Sequence, residues 1–265
     1  MKYVEVKNGT LYTPIVQHRR GELIVTSIGT VHIGTSNYYE RLQAELDKLP
    51  FGFFERVKPL TNEENVPQEK RQYIEGMQRS GELFQRFADY LGIVTQHQLK
   101  YPDNWQNPDI TLDELITVAP DKVLKKISGL TDQMDELEEF HETNPEELTA
   151  LIKGAMKYLS NVPFLRGIVS FLTHGPMYQK IILEKRNQKL FDAMEPELEQ
   201  PRVDGFGIIY GAAHLKGIDN FLIHKGFKSE GGVWIPALDV ESEISLWHAT
   251  KTIFEDSISG EIESK

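Results

Sequence analysis

The sequence contains the same short motif, Gly-x-x-His, near each of its two ends. An apolar run leads into each copy, and the copies end at His32 and His214, while a third apolar run, Gly52–Phe54, leads directly to Glu55. In an open α/β sheet, ligands bind outside the carboxyl ends of the strands, so these three side chains could meet in one crevice. Two imidazoles and one carboxylate can hold a metal ion and still leave positions for water and substrate. The pattern therefore predicts a metal-dependent hydrolase.

The chemical roles of the acidic and basic candidates remain open at this point. Glu55 could be a metal ligand or the general base. A bound ion lowers the pKa of water from about 15.7 to near 7, which allows hydrolysis without a serine or cysteine nucleophile. Arg186, on a predicted helix, could stabilise an oxyanion, clamp a substrate carboxylate or lie on a solvated face. Of the other histidines, only His97 is expected to face the pocket, because it follows a possible strand.

The elements around these residues follow from glycine positions and helical spacing. Gly29 and Gly211 precede the two histidines and are expected to shape sharp turns at the strand ends. A helix over residues 37–49, capped by Thr35 or Ser36, separates the first and third apolar runs. This strand, helix, strand order favours a parallel pair of strands with a right-handed crossover.

The remaining pattern predicts strands at both ends of the chain and helices between them. An Asn8-Gly9 turn joins a first strand to a second that runs to Val16. A long helix is expected from 67 to 91, and residues 121–200 are helical in pattern, with breaks near 129, 144–145 and 175–176. Strands return at Gly205. We predict a single α/β (α+β) domain over 1–265, with a central mixed sheet and a largely helical insertion at about 60–200 that covers the site. Either Thr111 or Asp109 is expected to cap a helix within this insertion.

Composition narrows the classes of partner. The formal net charge of −11 argues against a nucleic-acid backbone as the main binding partner. The absence of cysteine excludes disulfides, thiolate metal ligands and a cysteine nucleophile. No run approaches the roughly 20 apolar residues of a membrane span, and the first residues are too charged for a signal peptide. We expect a cytoplasmic protein that binds a peptide or small-molecule substrate. Apolar helix faces at 146–158 and 163–172 could serve either a homodimer interface or the core.

Four blocks of the sequence resemble the TraB/PrgY/Tiki family, within the broader group that includes erythromycin esterase-like and ChaN-like proteins. These blocks are Ile28–His32, Phe54-Glu55, Arg186-Asn187 and Tyr210–Ile218. The last block, Gly-Ala-Ala-His-Leu-x-Gly-Ile, is the most specific. Together the blocks extend the resemblance over most of the chain.

The resemblance implies a metal-dependent peptidase in which His32, Glu55 and His214 form the site. It favours a divalent ion of the manganese or cobalt type, although zinc or iron would also suit these ligands. It also implies that Arg186 and Asn187 face the site, and Asn187 is then expected to bind substrate together with His97. Two alternatives stay open: a metal-independent, esterase-like hydrolase, and a non-enzymatic protein that binds a peptide or haem.

Overall fold

The computed structural model describes residues 3–132, 134–160 and 176–241 and contains helices and a mixed sheet, which confirms the predicted α/β class. The strands are β1 (Glu5–Lys7), β2 (Thr10–Arg20), β3 (Leu23–Thr30), β4 (Ile33–Gly34), β5 (Gly52–Phe54), β6 (Val94–Thr95), β7 (Gly205–Gly211) and β8 (Lys228–Asp239). The α-helices are α1 (Ser36–Leu46), α2 (Ile74–Tyr90), α3 (Leu112–Val118), α4 (Asp121–Asp132), α5 (Met134–Thr143), α6 (Pro145–Ser160), α7 (Pro176–Glu199) and α8 (Leu215–His224).

Three parallel strands place their carboxyl ends along one edge of the main sheet. The strand order is β1-β2-β3-β7-β5. Strand β8 also pairs with β2, along the edge of β2 that does not face β3. Thr30 lies opposite Gly211, and Phe54 lies opposite Ile209. The sheet is thus built from both ends of the chain, as predicted. The first and third apolar runs are parallel but do not pair directly, because β7 lies between β3 and β5.

Helices cover both faces of this sheet with separate apolar clusters. One cluster packs α1, α2 and α6 against the sheet, and its members include Leu11, Ile28, Tyr38, Leu42, Ala88 and Leu148. The other packs α7 and α8 against the opposite face, and its members include Val25, Phe53, Leu190, Ile208, Ile218 and Leu222. Burial on both faces explains why the strand sequences read as nearly continuous apolar runs.

The described residues between β5 and α7 are mainly helical and contain an apolar cluster of their own, formed by α2, α3 and α4. The helix predicted from residue 67 begins only at Ile74, because Gln68–Tyr73 forms a 3₁₀ helix. Helix α4 continues through Gly129, whereas the boundary at Asn144 and Pro145 falls where it was predicted. The apolar stretch at 163–172 lies outside the described residues.

Of the helices in the described ranges, none combines the length and the hydropathy needed to span a bilayer.

The hairpin turn and the helix cap predicted near the first strands are present, whereas strand β2 is longer than predicted. Asn8 and Gly9 have φ angles of 48° and 74°, which fit the predicted tight hairpin. Strand β2 continues past Val16 to Arg20, because β3 and β8 pair along both of its edges. Thr35 caps α1 by accepting a hydrogen bond from the backbone of Tyr38.

The contact between β5 and β7 leads to a test of this sheet order. A Cβ on Gly52 would lie 2.6 Å from the carbonyl oxygen of Gly207 and 2.6 Å from the ring of Trp105. Because backbone would have to move, we expect Gly52→Ala to lower the free energy of unfolding by about 1–3 kcal/mol. Gly81→Ala is the control. Gly81 is exposed on α2, a Cβ there meets nothing within 4 Å, and the change should stabilise the fold by about 0.5–1 kcal/mol.

Urea unfolding of both variants measures these effects. A Gly52→Ala protein as stable as the unmodified chain would contradict the close approach of the two strands.

Candidate functional site

The three side chains predicted to form the site lie beyond the carboxyl ends of adjacent strands. Glu55 directly follows β5, His32 follows β3 by two positions, and His214 is the N-cap residue of α8. The backbone of Glu55 still donates to the carbonyl of Ile209 (3.0 Å), so the pairing of β5 with β7 extends to the carboxylate. The sheet edge therefore positions the acid beside the second Gly-x-x-His motif.

The carboxylate of Glu55 is buried, and protein groups contact both of its oxygens. Oε2 accepts a hydrogen bond from the backbone N–H of Gly211. Oε1 lies 2.6 Å from Nη2 of Arg186 and 3.4 Å from Nε2 of His214. The acid is thus held at a fixed place between a guanidinium and an imidazole.

Gly29 and Gly211 are needed for close packing rather than for unusual backbone angles. Neither has a positive φ, although a tight turn does begin at Gly211, whose carbonyl oxygen accepts from the N–H of His214 at 2.8 Å. A Cβ on Gly211 would lie 3.0 Å from Oε2 of Glu55, and one on Gly29 would lie 2.6 Å from Cδ1 of Leu215. The two glycines let the carboxylate and helix α8 approach the strand ends.

Arg186 joins two buried carboxylates. Its Nε and Nη2 donate to the two oxygens of Asp109 at 2.9 and 2.5 Å, and Nη2 also reaches Glu55. Nη1 has no protein hydrogen bond within the described residues, and the side chain keeps 12% of its exposure. Nη1 is therefore the guanidinium nitrogen still available to a ligand.

Asp109 was not predicted as a site residue. The sequence offered it only as a possible helix cap, but Thr111 caps α3, with Glu114 completing a capping box. Its partner Arg186 is 77 positions away in the chain. A contact over this separation leaves no local spacing that a motif search could detect.

His214 has one ring nitrogen fixed and the other without a hydrogen-bond partner. Nδ1 donates to Oδ1 of Asn187 at 2.6 Å, because an amide oxygen can only accept. Nε2 then carries a lone pair in the neutral ring, and this buried atom has no hydrogen-bond partner among the described residues. Asn187, expected to bind substrate, orients His214, and Gly217 makes room for its amide group.

His32 lies at the edge of the same group. Its ring packs against Phe84 with the centroids 4.9 Å apart, and its backbone carbonyl accepts from the N–H of Gln96. His97, by contrast, is exposed on the 3₁₀ helix Gln96–Gln98. Gln96, and not the predicted His97, is thus the residue of this 3₁₀ helix that contacts His32.

The charges of the site act on one another across short distances. Burial raises the pKa of Glu55, but Arg186 and then His214 outweigh burial and hold it well below 4.5. Burial lowers the pKa of His32 below 6.5, and the charge of Glu55 only partly opposes this. At neutral pH, Glu55 is therefore ionised and His32 is neutral.

The predicted metal site can be compared with this geometry. Within the described residues, no three His, Asp or Glu side chains are gathered closely enough to hold a metal ion. The atoms that fit best are Nε2 of His214 and Oε1 of Glu55, and the bond from His214 to Asn187 is the kind that orients a metal-binding imidazole. The metal remains a prediction.

No family model, curated protein or solved structure matches the chain. The resemblance to the TraB/PrgY/Tiki family therefore rests on the four sequence blocks and stays a prediction.

The low pKa of Glu55 predicts how stability depends on pH. A carboxyl group whose pKa is lower in the folded than in the unfolded chain stabilises the fold above its unfolded pKa, and this contribution disappears as the pH falls through the folded value. We expect Glu55→Gln to be less stable than the unmodified chain by about 1–3 kcal/mol at pH 7. The difference should shrink steadily below pH 4.5.

Urea unfolding at several pH values between 7 and 3 measures this difference. Glu40→Gln is the control, since Glu40 is exposed and makes no ion pair within the described part of the chain. A difference for Glu55→Gln that stays constant down to pH 3 would contradict the assigned shift.

Proposed function

We propose that the chain is a metal-dependent hydrolase that cleaves a peptide or a related amide or ester bond at His32, Glu55, Arg186 and His214. The observation that carries the proposal is the buried Nε2 of His214, which has no hydrogen-bond partner among the described residues and lies 3.4 Å from Oε1 of Glu55. Two buried acceptor atoms that face each other without a donor are unfavourable, and a cation or a proton between them would remove this cost.

The charge of the site supports a cation. Glu55 and Asp109 are two buried acids, and Arg186 is the single guanidinium that lies between them. A divalent ion held by His214 and Glu55 would compensate the remaining negative charge. His32, the third ligand predicted from the sequence, does not come close enough to this pair to complete a three-residue set among the described residues. Such an ion supplies Lewis acidity, which lowers the pKa of a water molecule and makes it a nucleophile at neutral pH.

The protein groups have distinct tasks in this proposal. Asn187 fixes the tautomer and orientation of His214, and the amide of Gly211 fixes the carboxylate of Glu55. Glu55 is ionised, so it can be a ligand to the ion or, where it is not a ligand, the general base that accepts a proton from water. Nη1 of Arg186, which has no hydrogen bond to the described residues, could stabilise a developing oxyanion, because the guanidinium stays charged throughout.

The ion pair between Arg186 and Glu55 favours a second candidate, metal-independent hydrolysis. The guanidinium already compensates the charge of Glu55, which leaves Nε2 of His214 free to act as the base that takes a proton from water. The two candidates share the same residues and differ in their response to chelation.

Activity measurements with and without metal test the proposal. The protein is purified without chelator, analysed for metal, and assayed on casein, a peptide mixture and p-nitrophenyl esters. We expect hydrolysis that chelation abolishes and Mn²⁺ or Co²⁺ restores. His214→Ala should lower the rate by about 100-fold or more, since it removes both a metal ligand and a possible base.

His224→Ala is the control, because His224 is an exposed histidine on the same helix, α8. Its activity should equal that of the unmodified chain. Activity that survives complete chelation but is lost in His214→Ala would replace the metal proposal by the second candidate. The absence of hydrolysis on every substrate would reject both.

A further inference from the structure

Tyr210 lies against the proposed site and has no role in the chemistry described so far. It is the residue of β7 just before Gly211, whose backbone binds Glu55. Its ring meets the ring of His214 edge-on, with the centroids 5.4 Å apart and the planes at 73°. The side chain is 0% exposed and belongs to the apolar cluster beneath α7 and α8. Its phenol thus forms part of the inner wall of the site.

The hydroxyl of Tyr210 is buried and has no hydrogen-bond partner among the described residues. Buried hydroxyl groups usually have one, because the loss of water without replacement is unfavourable. Burial, followed by the charges of Asp109 and Glu55, raises the pKa of this phenol, and Arg186 only partly opposes them. A phenol ordinarily carries its proton at neutral pH, so this hydroxyl is available as a donor.

The unpartnered hydroxyl is one of two such atoms at the same place. Nε2 of His214 is also buried and without a hydrogen-bond partner, and it belongs to the ring that Tyr210 touches. Both side chains lie within the electrostatic influence of Glu55. Two unsatisfied polar atoms on touching rings indicate a single binding place, where the proposed ion would complete Nε2 and a substrate atom would complete the hydroxyl.

We propose that the hydroxyl of Tyr210 is a further catalytic group, which donates a hydrogen bond to the carbonyl oxygen of the bound substrate beside Arg186. This inference rests on the proposed hydrolase function. A phenol and a guanidinium would then supply two donors to the oxygen on which negative charge develops, which is the arrangement that most lowers the barrier to acyl transfer.

The bond changes follow from this placement. As the water oxygen bonds to the carbonyl carbon, the π electron pair of the carbonyl moves to its oxygen, and one water proton passes to Glu55. Tyr210 keeps its own proton and holds the oxyanion. The electron pair then re-forms the carbonyl, the bond to the leaving group breaks, and the proton on Glu55 is transferred to that group.

Tyr210→Phe tests the role, because it removes the hydroxyl and leaves the ring. Ser27→Ala is the matched control. Ser27 is buried on β3 opposite Ile208, and its hydroxyl also has no hydrogen-bond partner among the described residues. Both variants are made in the full chain and assayed on the substrates that the unmodified protein cleaves. Urea unfolding is measured in parallel.

We expect Tyr210→Phe to lower kcat about 100-fold with KM little changed, since the hydrogen bond forms in the transition state. Ser27→Ala should keep full activity. Both variants should unfold at urea concentrations equal to or above that of the unmodified chain, because each loses an unsatisfied buried group.

The outcomes separate the two proposals. An unchanged kcat in Tyr210→Phe would overturn the role of Tyr210 and leave the hydrolase standing. A lower kcat accompanied by a clear loss of stability would show that the hydroxyl serves the fold, and it would also overturn the role. An unmodified chain that cleaves none of the substrates would overturn the hydrolase and, with it, this inference.

Discussion

The site depends on the buried guanidinium of Arg186, which joins three distant segments of the chain. Asp109 comes from the loop before α3, Glu55 follows β5, and Arg186 itself lies on α7. Removing such charges from water is unfavourable, and it is compensated only when all partners meet in good geometry. The bidentate contact with Asp109 meets that condition. The ion-paired group therefore fixes how the helical insertion and the last long helix sit over the sheet edge.

The sheet contributes the other half of the arrangement. Because β7 lies between β3 and β5, the carboxyl ends of the three parallel strands form one continuous edge, and the His214 motif after β7 lies between the His32 motif after β3 and the acid that follows β5. The glycines at the strand ends permit this closeness: Gly211 lies against the carboxylate, and Gly29 lies against Leu215 of α8. A fold of this class commonly places its ligands at such an edge, and here the ionisable side chains are concentrated there.

Part of this could be predicted from the sequence, because the relevant signals are local. Apolar runs that end in Gly-x-x-His or in a single acid predict strand ends, and the Asn8-Gly9 pair predicts a hairpin. The rest depends on contacts between distant positions. Asp109 becomes a partner of Arg186 only through folding, β7 separates two strands that the sequence order suggests are neighbours, and Gln96 contacts His32 while the more conspicuous His97 is exposed. Neither the spacing nor the type of these residues in the sequence indicates which distant residues they contact in the fold.

The central position of β7 has a consequence for how the polypeptide reaches its native state during synthesis. Strands β3 and β5 leave the ribosome long before residues 205–211, yet each needs β7 to complete its parallel hydrogen bonds. Until then, two strand edges stay open to pairing with other nascent chains. Long-range pairing of this kind is slow, since the entropy cost of closing a large loop must be met before any stabilising contact forms. We therefore expect the sheet to close late, after translation has passed β7, and newly made molecules to be most prone to aggregation in the interval before it.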